Sequence, residues 1–171
     1  MTTEIPAEHP AGLTDDCLLA ACDQHFTRRS GPGGQNRNKV ETAVILTHRQ
    51  SGISAEASEQ RTQLDNRRVA LFRLRLRLAL QWRLPSRPSP SSLWRSRCKS
   101  KRISVSAEHR DFPTLIAECL DVLDGCQFNT TLAAEQLELS SSQLVRLLRQ
   151  FPPALELLNT HRLANGKTPY R

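Results

Sequence analysis

Residues 30–39 (SGPGGQNRNK) admit neither a helix nor a strand, because Gly31 to Gly34 hold three glycines and one proline. They predict an exposed loop whose backbone can approach a ligand closely. A Walker A loop is excluded because no Gly-Lys-Ser/Thr closes the segment, and the glycines lack the spacing of a dinucleotide-binding turn. On glycine content alone, an ordinary surface turn is the commoner explanation.

The chain before this loop begins with scattered prolines and acids, so residues 1–13 predict a disordered N-terminus. Thr14 before two aspartates is typical of a helix start, since the acids lie at the positive end of the helix dipole. We expect a short helix to about Asp23 and an extended segment to Arg29.

The chain after the loop predicts a hairpin and then a long helix. Residues 40–48 and 53–57 have the composition of two strands joined by a tight connection. In residues 58–84, leucine and arginine alternate with the period of a strand. No β-branched residue follows Val69 there, however, and the remaining residues are mostly strong helix formers. Composition therefore favours a helix over a strand.

The C-terminal part has the apolar spacing of helices. Four are expected, over residues 111–125, 131–138, 141–150 and from Pro152 onward, with Ser140 as an N-cap. The second and third have the spacing of a helix-turn-helix, although Glu138 occupies the position of the usual turn glycine. Residues 84–102, rich in proline and serine, predict a basic linker before these helices.

The net charge of +7 is concentrated in the middle of the chain. Residues 28–102 hold 18 Lys and Arg against four acids, whereas residues 1–27 and 103–171 are net acidic. A basic block of this size most often binds a polyanion, and RNA or DNA is the commonest. A solvated arginine-rich surface is the alternative.

Composition also excludes several classes of protein. The apolar runs are too short to cross a bilayer, and the first ten residues, which lack a basic start followed by an apolar stretch, predict no secretory signal. Five cysteines without a CxxC pair predict reduced thiols, and five histidines without ligand spacing predict no metal site. We expect a soluble cytoplasmic protein without a metal, cofactor or membrane partner.

Residues 29–39 (RSGPGGQNRNK) closely resemble the Gly-Gly-Gln loop of class-I peptide chain release factors and of the short ribosome-rescue factors related to them. A resemblance that extends over a loop, a hairpin and a helix is far more specific than a tripeptide. It continues to roughly residue 80 through Thr47-His48, Ser51-Gly52-Ile53, Glu59-Gln60-Arg61 and Asn66.

The resemblance implies hydrolysis of the ester that joins a nascent peptide to tRNA in the peptidyl-transferase centre. Gly33, Gly34 and Gln35 would be catalytic: the Gln35 backbone N–H would stabilise the developing oxyanion, and the glycines would permit the loop conformation. The loop holds no Ser–His–acid set or carboxylate pair, so water would attack directly. The implied partners are ribosomal RNA and peptidyl-tRNA, and the protein would act as a monomer.

The expected fold is α+β, with a release-factor-type catalytic domain made of a short helix, a small antiparallel sheet and a long helix. Its four parts are a disordered N-terminus (1–13), this catalytic domain (14–83), a basic linker (84–102) and a helix-turn-helix-like module (103–171). We expect none of these parts to read stop codons, and in this plan the chain resembles the codon-independent rescue factors. Those factors end in a basic tail, whereas here 69 residues follow the basic segment.

Candidate RNA-binding residues form three groups: polar residues beside the loop, arginines repeated every seven residues along the helix, and the linker cations with a tryptophan that would stack on a base. They are Arg28, Arg29, Asn36, Arg37, Asn38 and Lys39; Arg61, Arg68 and Arg75; and Trp94, Arg95, Arg97, Lys99, Lys101 and Arg102. An ordinary solvated linker is the alternative for the third group.

Two other functions are compatible with the sequence. One is a DNA-binding regulator that uses residues 141–150 as a recognition helix. The other is a ribosome-binding protein that keeps the fold without catalysis. The net charge of −2 over residues 103–171 argues against strong binding of a polyanion by the helical module.

Overall fold

The computed structural model describes residues 8–28, 42–84 and 90–171. The chain divides into two compact units, which we call the sheet unit (Pro6–Leu78) and the helical unit (Ala79–Arg171). Helices occur together with small antiparallel sheets, so the predicted α+β class is confirmed.

The sheet unit contains a three-stranded antiparallel sheet in the order β1-β2-β3. The strands are β1 (Cys22–Thr27), β2 (Ala43–His48) and β3 (Ser54–Ala57). In the register, Leu46 of β2 lies between Gln24 and Ala55. The predicted hairpin is confirmed as the connection between β2 and β3.

Helix α1 (Asp15–Ala20) precedes the sheet, and Thr14 caps it by accepting a hydrogen bond from the Cys17 N–H. The predicted helix is therefore confirmed, but it ends at Ala20 and not near Asp23. The reason is the sheet: Cys22 and Asp23 already pair with β2, and a residue cannot belong to both a helix and a ladder.

Helix α2 (Gln63–Gln81) confirms that composition outweighs the strand-like period. Its buried apolar residues include Ala70, Leu71, Leu74 and Leu78, at helical spacing. Arg73 and Arg77 lie outside this buried face of the helix. Their side chains donate hydrogen bonds to the carbonyl oxygens of Glu56 and Ser54, respectively. Guanidinium groups thus cover backbone acceptors of β3, a strand at the sheet edge.

The N-terminal segment is more ordered than its composition predicts. Pro10–Gly12 form a 3-10 helix, and Ala11 is fully buried. Arg75 of α2 donates hydrogen bonds of 2.7 Å to the Ala11 carbonyl oxygen and 2.8 Å to the Asp15 carboxylate. The predicted disorder is therefore wrong from His9 onward, since a buried guanidinium needs such acceptors.

The helical unit contains the four predicted helices, which are confirmed. They are α4 (Phe112–Gly125), α5 (Thr130–Gln136), α6 (Ser141–Arg149) and α7 (Pro152–Ala164). Ser140 caps α6 as predicted, because its hydroxyl accepts a hydrogen bond from the Gln143 N–H. Helix α4 is buried along nearly all of its length and supplies much of the core of this unit.

The turn between α5 and α6 places Glu138 at φ +56°, in the left-handed region that favours glycine. The next residue, Leu139, closes the turn with a 2.8 Å hydrogen bond from its N–H to the Ala134 carbonyl oxygen. The backbone thus adopts a glycine-type turn with a glutamate in it. That α5 and α6 serve as a helix-turn-helix stays a prediction.

The segment predicted as a linker is largely folded. Helix α3 (Ser92–Arg97) leads directly into β4 (Cys98–Lys99) and β5 (Arg102–Ile103), which form a two-stranded antiparallel hairpin. Trp94 in α3 is completely buried, and its indole N–H donates a 2.9 Å hydrogen bond to the Leu137 carbonyl oxygen. The linker prediction is wrong over residues 90–102 because a buried indole ring ties this segment to the helices.

Two buried carboxylates of α4 hold the chain on either side of residues 85–89. Glu118 accepts hydrogen bonds from the backbone N–H (2.6 Å) and the hydroxyl (2.5 Å) of Ser91. Asp121 accepts one from the Leu84 N–H at 3.2 Å and lies 3.5 Å from the Arg83 guanidinium. Both flanks of this stretch therefore belong to the helical unit.

Candidate functional site

The Gly-Gly-Gln loop, residues 29–41, lies outside the described residues. It holds the predicted catalytic residues and the polar residues beside them: Arg29, Gly33, Gly34, Gln35, Asn36, Arg37, Asn38 and Lys39. Their roles stay predictions. The structure does describe where the chain leaves for this loop and where it returns, and we call Thr27, Thr42, Ala43 and Asn66 the loop base.

Two residues of the loop base lie at the adjacent ends of β1 and β2. Thr27 and Ala43 lie directly opposite each other in the antiparallel ladder, and Phe26 pairs with Val44 one step further in. The Cα atoms of such pairs are about 4.5–5.5 Å apart. Ala43 and Val44 are buried, so the returning strand is fixed by packing as well as by pairing. Regular elements therefore hold both ends of the loop.

Asn66 fastens the returning end of the loop to α2. Its side-chain N–H donates hydrogen bonds to the carbonyl oxygens of Thr42 (2.7 Å) and Gln60 (3.1 Å), and its oxygen accepts one from the Gln60 N–H (2.8 Å). Asn66 is completely buried, so each of these bonds forms away from water. Sequence reasoning noticed Asn66 only within the resemblance, although an amide on a buried helix face was the available signal.

The segment that carries Gln60 is itself fixed by side chains around the start of α2. Arg73 binds the Glu59 carboxylate at 2.6 Å. Thr62 accepts a hydrogen bond from the Asp65 N–H at 3.1 Å and donates one to the Asp65 carboxylate at 2.6 Å. Burial opposes the charge of Glu59, but hydrogen bonds from backbone N–H groups and from Arg73 outweigh it and lower the Glu59 pKa. The partner of Asn66 is therefore held in place as well.

The predicted basic stripe on α2 is not one surface. Arg61 precedes the helix and is exposed, and Arg68 is exposed with Asp65 3.3 Å away. Arg75, in contrast, is 8% exposed. Its assignment as an RNA contact is wrong because Ala11 and Asp15 bind its guanidinium inside the sheet unit. A seven-residue spacing places side chains at one angle around a helix, and it does not say which angle faces solvent.

The helical unit likewise divides the predicted RNA-binding residues into engaged and exposed ones. The base-stacking role of Trp94 is wrong because its ring is buried. Arg97 binds the Asp111 carboxylate at 2.6 Å. Burial opposes the Asp111 charge, but the hydrogen bond from Arg97 outweighs it and lowers the Asp111 pKa. The exposed candidates of this unit are Arg95, Lys99, Lys101 and Arg102, and Arg28 is exposed in the sheet unit.

Within residues 8–28, 42–84 and 90–171, no three His, Cys, Asp or Glu side chains lie close enough together to hold a metal ion. Of the helices in the same ranges, none combines the length and the apolar character that crossing a bilayer requires.

Comparison with known protein families matches residues 20–111 to the RF-1 domain. This range covers more than half of the chain and contains the loop, all three strands of the sheet unit and α2. The chain belongs to the RF-1 domain family. Membership confirms the resemblance to class-I release factors. The RF-1 match also continues through α3 and the β4–β5 hairpin, whereas α4 to α7 lie beyond it.

Two curated relatives of this chain are peptide chain release factors. It is 52% identical over 56 residues to the chloroplastic peptide chain release factor PrfB1 of Arabidopsis thaliana, covering 33% of this chain and 12% of the relative. It is 55% identical over 51 residues to peptide chain release factor 1 of Chlorobaculum tepidum, covering 30% and 14%.

A peptide chain release factor homolog of Escherichia coli is 42% identical over 65 residues, covering 38% of this chain and 29% of the relative. The chain therefore spans less than a third of the length of each of these relatives. No solved structure matches it.

Proposed function

We propose that this protein releases nascent peptides from ribosomes by hydrolysing the ester bond of peptidyl-tRNA. One observation carries the proposal: the RF-1 match includes the sequence Gly33-Gly34-Gln35 in a loop whose ends are held by β1, β2 and Asn66. The relatives named above are peptide chain release factors. A loop that must present backbone groups to a substrate benefits from such fixed ends, because less ordering is needed on binding.

In this proposal the loop supplies backbone chemistry. The N–H of Gln35 donates a hydrogen bond to the oxygen that gains negative charge as water attacks the ester carbon. Gly33 and Gly34 allow the backbone to turn that N–H toward the substrate, because neither carries a Cβ. The partners are peptidyl-tRNA and ribosomal RNA, and the protein acts as a cytoplasmic monomer.

We further infer that release does not depend on a stop codon. The support is the part of the chain beyond the RF-1 match, where α4 to α7 form a helical unit. Exposed cations such as Lys99 and Arg102 lie in the β4–β5 hairpin just before these helices, within the match, and offer contacts to ribosomal RNA that would not involve a codon.

The test is release of a labelled peptide from ribosomes on truncated mRNA and from ribosomes paused at a stop codon. We expect the truncated complex to be hydrolysed at least as fast. Release that requires the stop codon would contradict codon independence and leave the hydrolase intact. No release from either complex, despite ribosome binding, would contradict the hydrolase proposal.

A further inference from the structure

We propose that the β4–β5 hairpin is a phosphate-binding element for the backbone of structured RNA, built on the facing cations Lys99 and Arg102. The proposal rests on the proposed function only in taking ribosomal RNA as the natural polymer. The binding site itself is argued from the hairpin, and its test requires no peptide release.

The hairpin has one apolar face and one basic face. Its two residue pairs are Cys98 opposite Ile103 and Lys99 opposite Arg102. Successive residues of a strand point to opposite faces, so each pair occupies its own face. Cys98 and Ile103 are half-buried, whereas Lys99 and Arg102 are exposed. The half-buried pair thus faces the rest of the helical unit, where the Cys98 thiol lies 3.8 Å from the Glu138 carbonyl oxygen, and the two cations lie on the solvent side of the hairpin.

Lys99 and Arg102 form a like-charge pair directly across two strands. Side chains in such positions have Cβ atoms about 4.5–5.5 Å apart, and like charges there destabilise the pairing. Among residues 8–28, 42–84 and 90–171, no carboxylate oxygen lies within 4.0 Å of a charged nitrogen of either side chain. No direct ion pair within the described residues offsets this repulsion, and a bound anion between the two side chains would relieve it.

The turn of the hairpin is also unfavourable for its residues. Ser100 has φ +49° and Lys101 has φ +59°, the pattern of a type I′ turn, which usually contains Asn-Gly. Neither residue is glycine, so both occupy a region that L side chains rarely adopt. Strained turns persist where the surrounding structure or the function requires their shape. Here the turn is what brings Lys99 and Arg102 opposite each other.

The chemistry of the pair matches a phosphodiester. Arg102 can bind two phosphate oxygens with one guanidinium, and Lys99 adds a point charge next to it. Lys101 contributes less, because Glu135 and Glu138 line the same surface depression and offset its charge. Arg95, exposed in the last turn of α3, lies three residues before the hairpin and extends the basic segment. A polyanion satisfies several such cations at once.

The decisive variant is Lys99→Glu, which converts the repulsive pair into a cross-strand ion pair with Arg102. We expect the melting temperature of the full chain to rise by about 1–4 °C. We expect binding to a fluorescent RNA stem-loop to weaken, with the slope of log K against log salt reduced by about two, one for each cation lost to phosphate. A variant that is more stable but binds RNA more weakly is the result expected if the repulsion between Lys99 and Arg102 is relieved by a bound phosphate.

The matched control is Arg146→Glu, the same charge change at an exposed position of α6 in the same unit. Its salt slope should change by clearly less than that of Lys99→Glu. Equal effects of the two variants would overturn the proposal in favour of a general charge effect, and so would unchanged RNA binding by Lys99→Glu. Tighter binding to a DNA hairpin of the same sequence would overturn the assignment to RNA.

If Lys99→Glu should unfold the hairpin, Lys99→Gln decides the question, because it removes the charge without adding another. Its slope must fall by about one. An unchanged slope overturns the proposal. Peptide release by the wild-type protein is measured separately, so failure of the hydrolase and failure of this site give different results.

Discussion

The side-chain amide of Asn66 lies 2.7 Å from the carbonyl oxygen of Thr42, the first described residue after the Gly-Gly-Gln loop. A side chain on α2 thus holds the point at which the loop re-enters the sheet. A chain end that is fixed in this way costs less conformational entropy when a ligand binds beside it.

Asn66→Ala should therefore damage both stability and chemistry. Losing the amide leaves backbone groups of Thr42 and Gln60 without this partner, which costs about 2–3 kcal/mol of unfolding free energy. A displaced loop end should also slow single-turnover peptide release at saturating protein, by up to about 100-fold. Release is to be measured well below the melting temperature of the variant. We expect ribosome binding by the variant to be unchanged.

Arg49→Met is the control for this variant. Arg49 donates hydrogen bonds to the carbonyl oxygens of Cys22 (2.9 Å) and Ala20, at the end of the sheet remote from Thr27 and Ala43. We expect a loss of stability without a slower release step. Equal slowing by Arg49→Met would mean that Asn66 acts only through general stability.

Substitutions within the loop separate backbone from side-chain chemistry. Gln35→Pro removes the proposed N–H donor and should slow release by about 10²–10³, the usual cost of losing one oxyanion donor. Gly34→Ala should be similarly severe if the loop needs a backbone conformation that glycine alone reaches easily. Gln35→Ala keeps the N–H and should show a milder defect. A wild-type rate for Gln35→Pro in single-turnover release would rule out this mechanism.

Trp94 should behave as a core residue and not as an RNA contact. Trp94→Ala removes a completely buried ring and should lower the free energy of unfolding by about 3–5 kcal/mol. Trp94→Phe keeps most of the apolar volume but leaves the Leu137 carbonyl oxygen without its indole donor, at a cost of about 1–3 kcal/mol. Urea unfolding of the full chain measures both. An unaltered unfolding curve for Trp94→Ala, with weaker RNA binding, would restore the base-stacking role.

His48 should make the protein less stable in mild acid. Its ring is buried and contacts the Ser51 hydroxyl at 2.9 Å. Burial, and to a lesser extent Arg49, lowers the His48 pKa from its ordinary value of 6.5. Below pH 6.5 the unfolded chain then binds a proton that the folded chain excludes, so stability falls as the pH falls through that range. Thermal unfolding of the wild type and of His48→Gln between about pH 7 and pH 5 checks this. The wild type should lose more stability than the variant across that range.

Much of the fold was predictable because local chemistry and tertiary structure agree there. Ser140 has the side chain that an N-cap requires, and it forms that cap. The run of leucine and arginine before Gln81 has a strand period but helix-forming residues, and it folds as α2. In both cases the local preference of the residues matches what packing selects.

The wrong predictions concern residues that look alike in the sequence, where only tertiary packing determines which of them are buried. Trp94 and the cations around it have the composition of a solvated basic segment, and only contact with Leu137 distinguishes a buried ring from an exposed one. Spacing along α2 does not distinguish Arg75 from Arg68. The guanidinium of Arg75, however, donates hydrogen bonds to Ala11 and Asp15. β1 was expected only as extended chain, because its strand character comes from pairing with β2.

Because Thr27 pairs with Ala43, the length of the loop between them can change with little effect on the stability of the fold. The 15 residues between these two positions connect two strand ends whose separation is fixed by the ladder. Adding one residue between them changes the entropy of closing such a loop by less than about 0.1 kcal/mol, yet it lengthens the chain by about 3.4 Å. We therefore expect that the loop can be lengthened or exchanged while β1 and β2 keep their register.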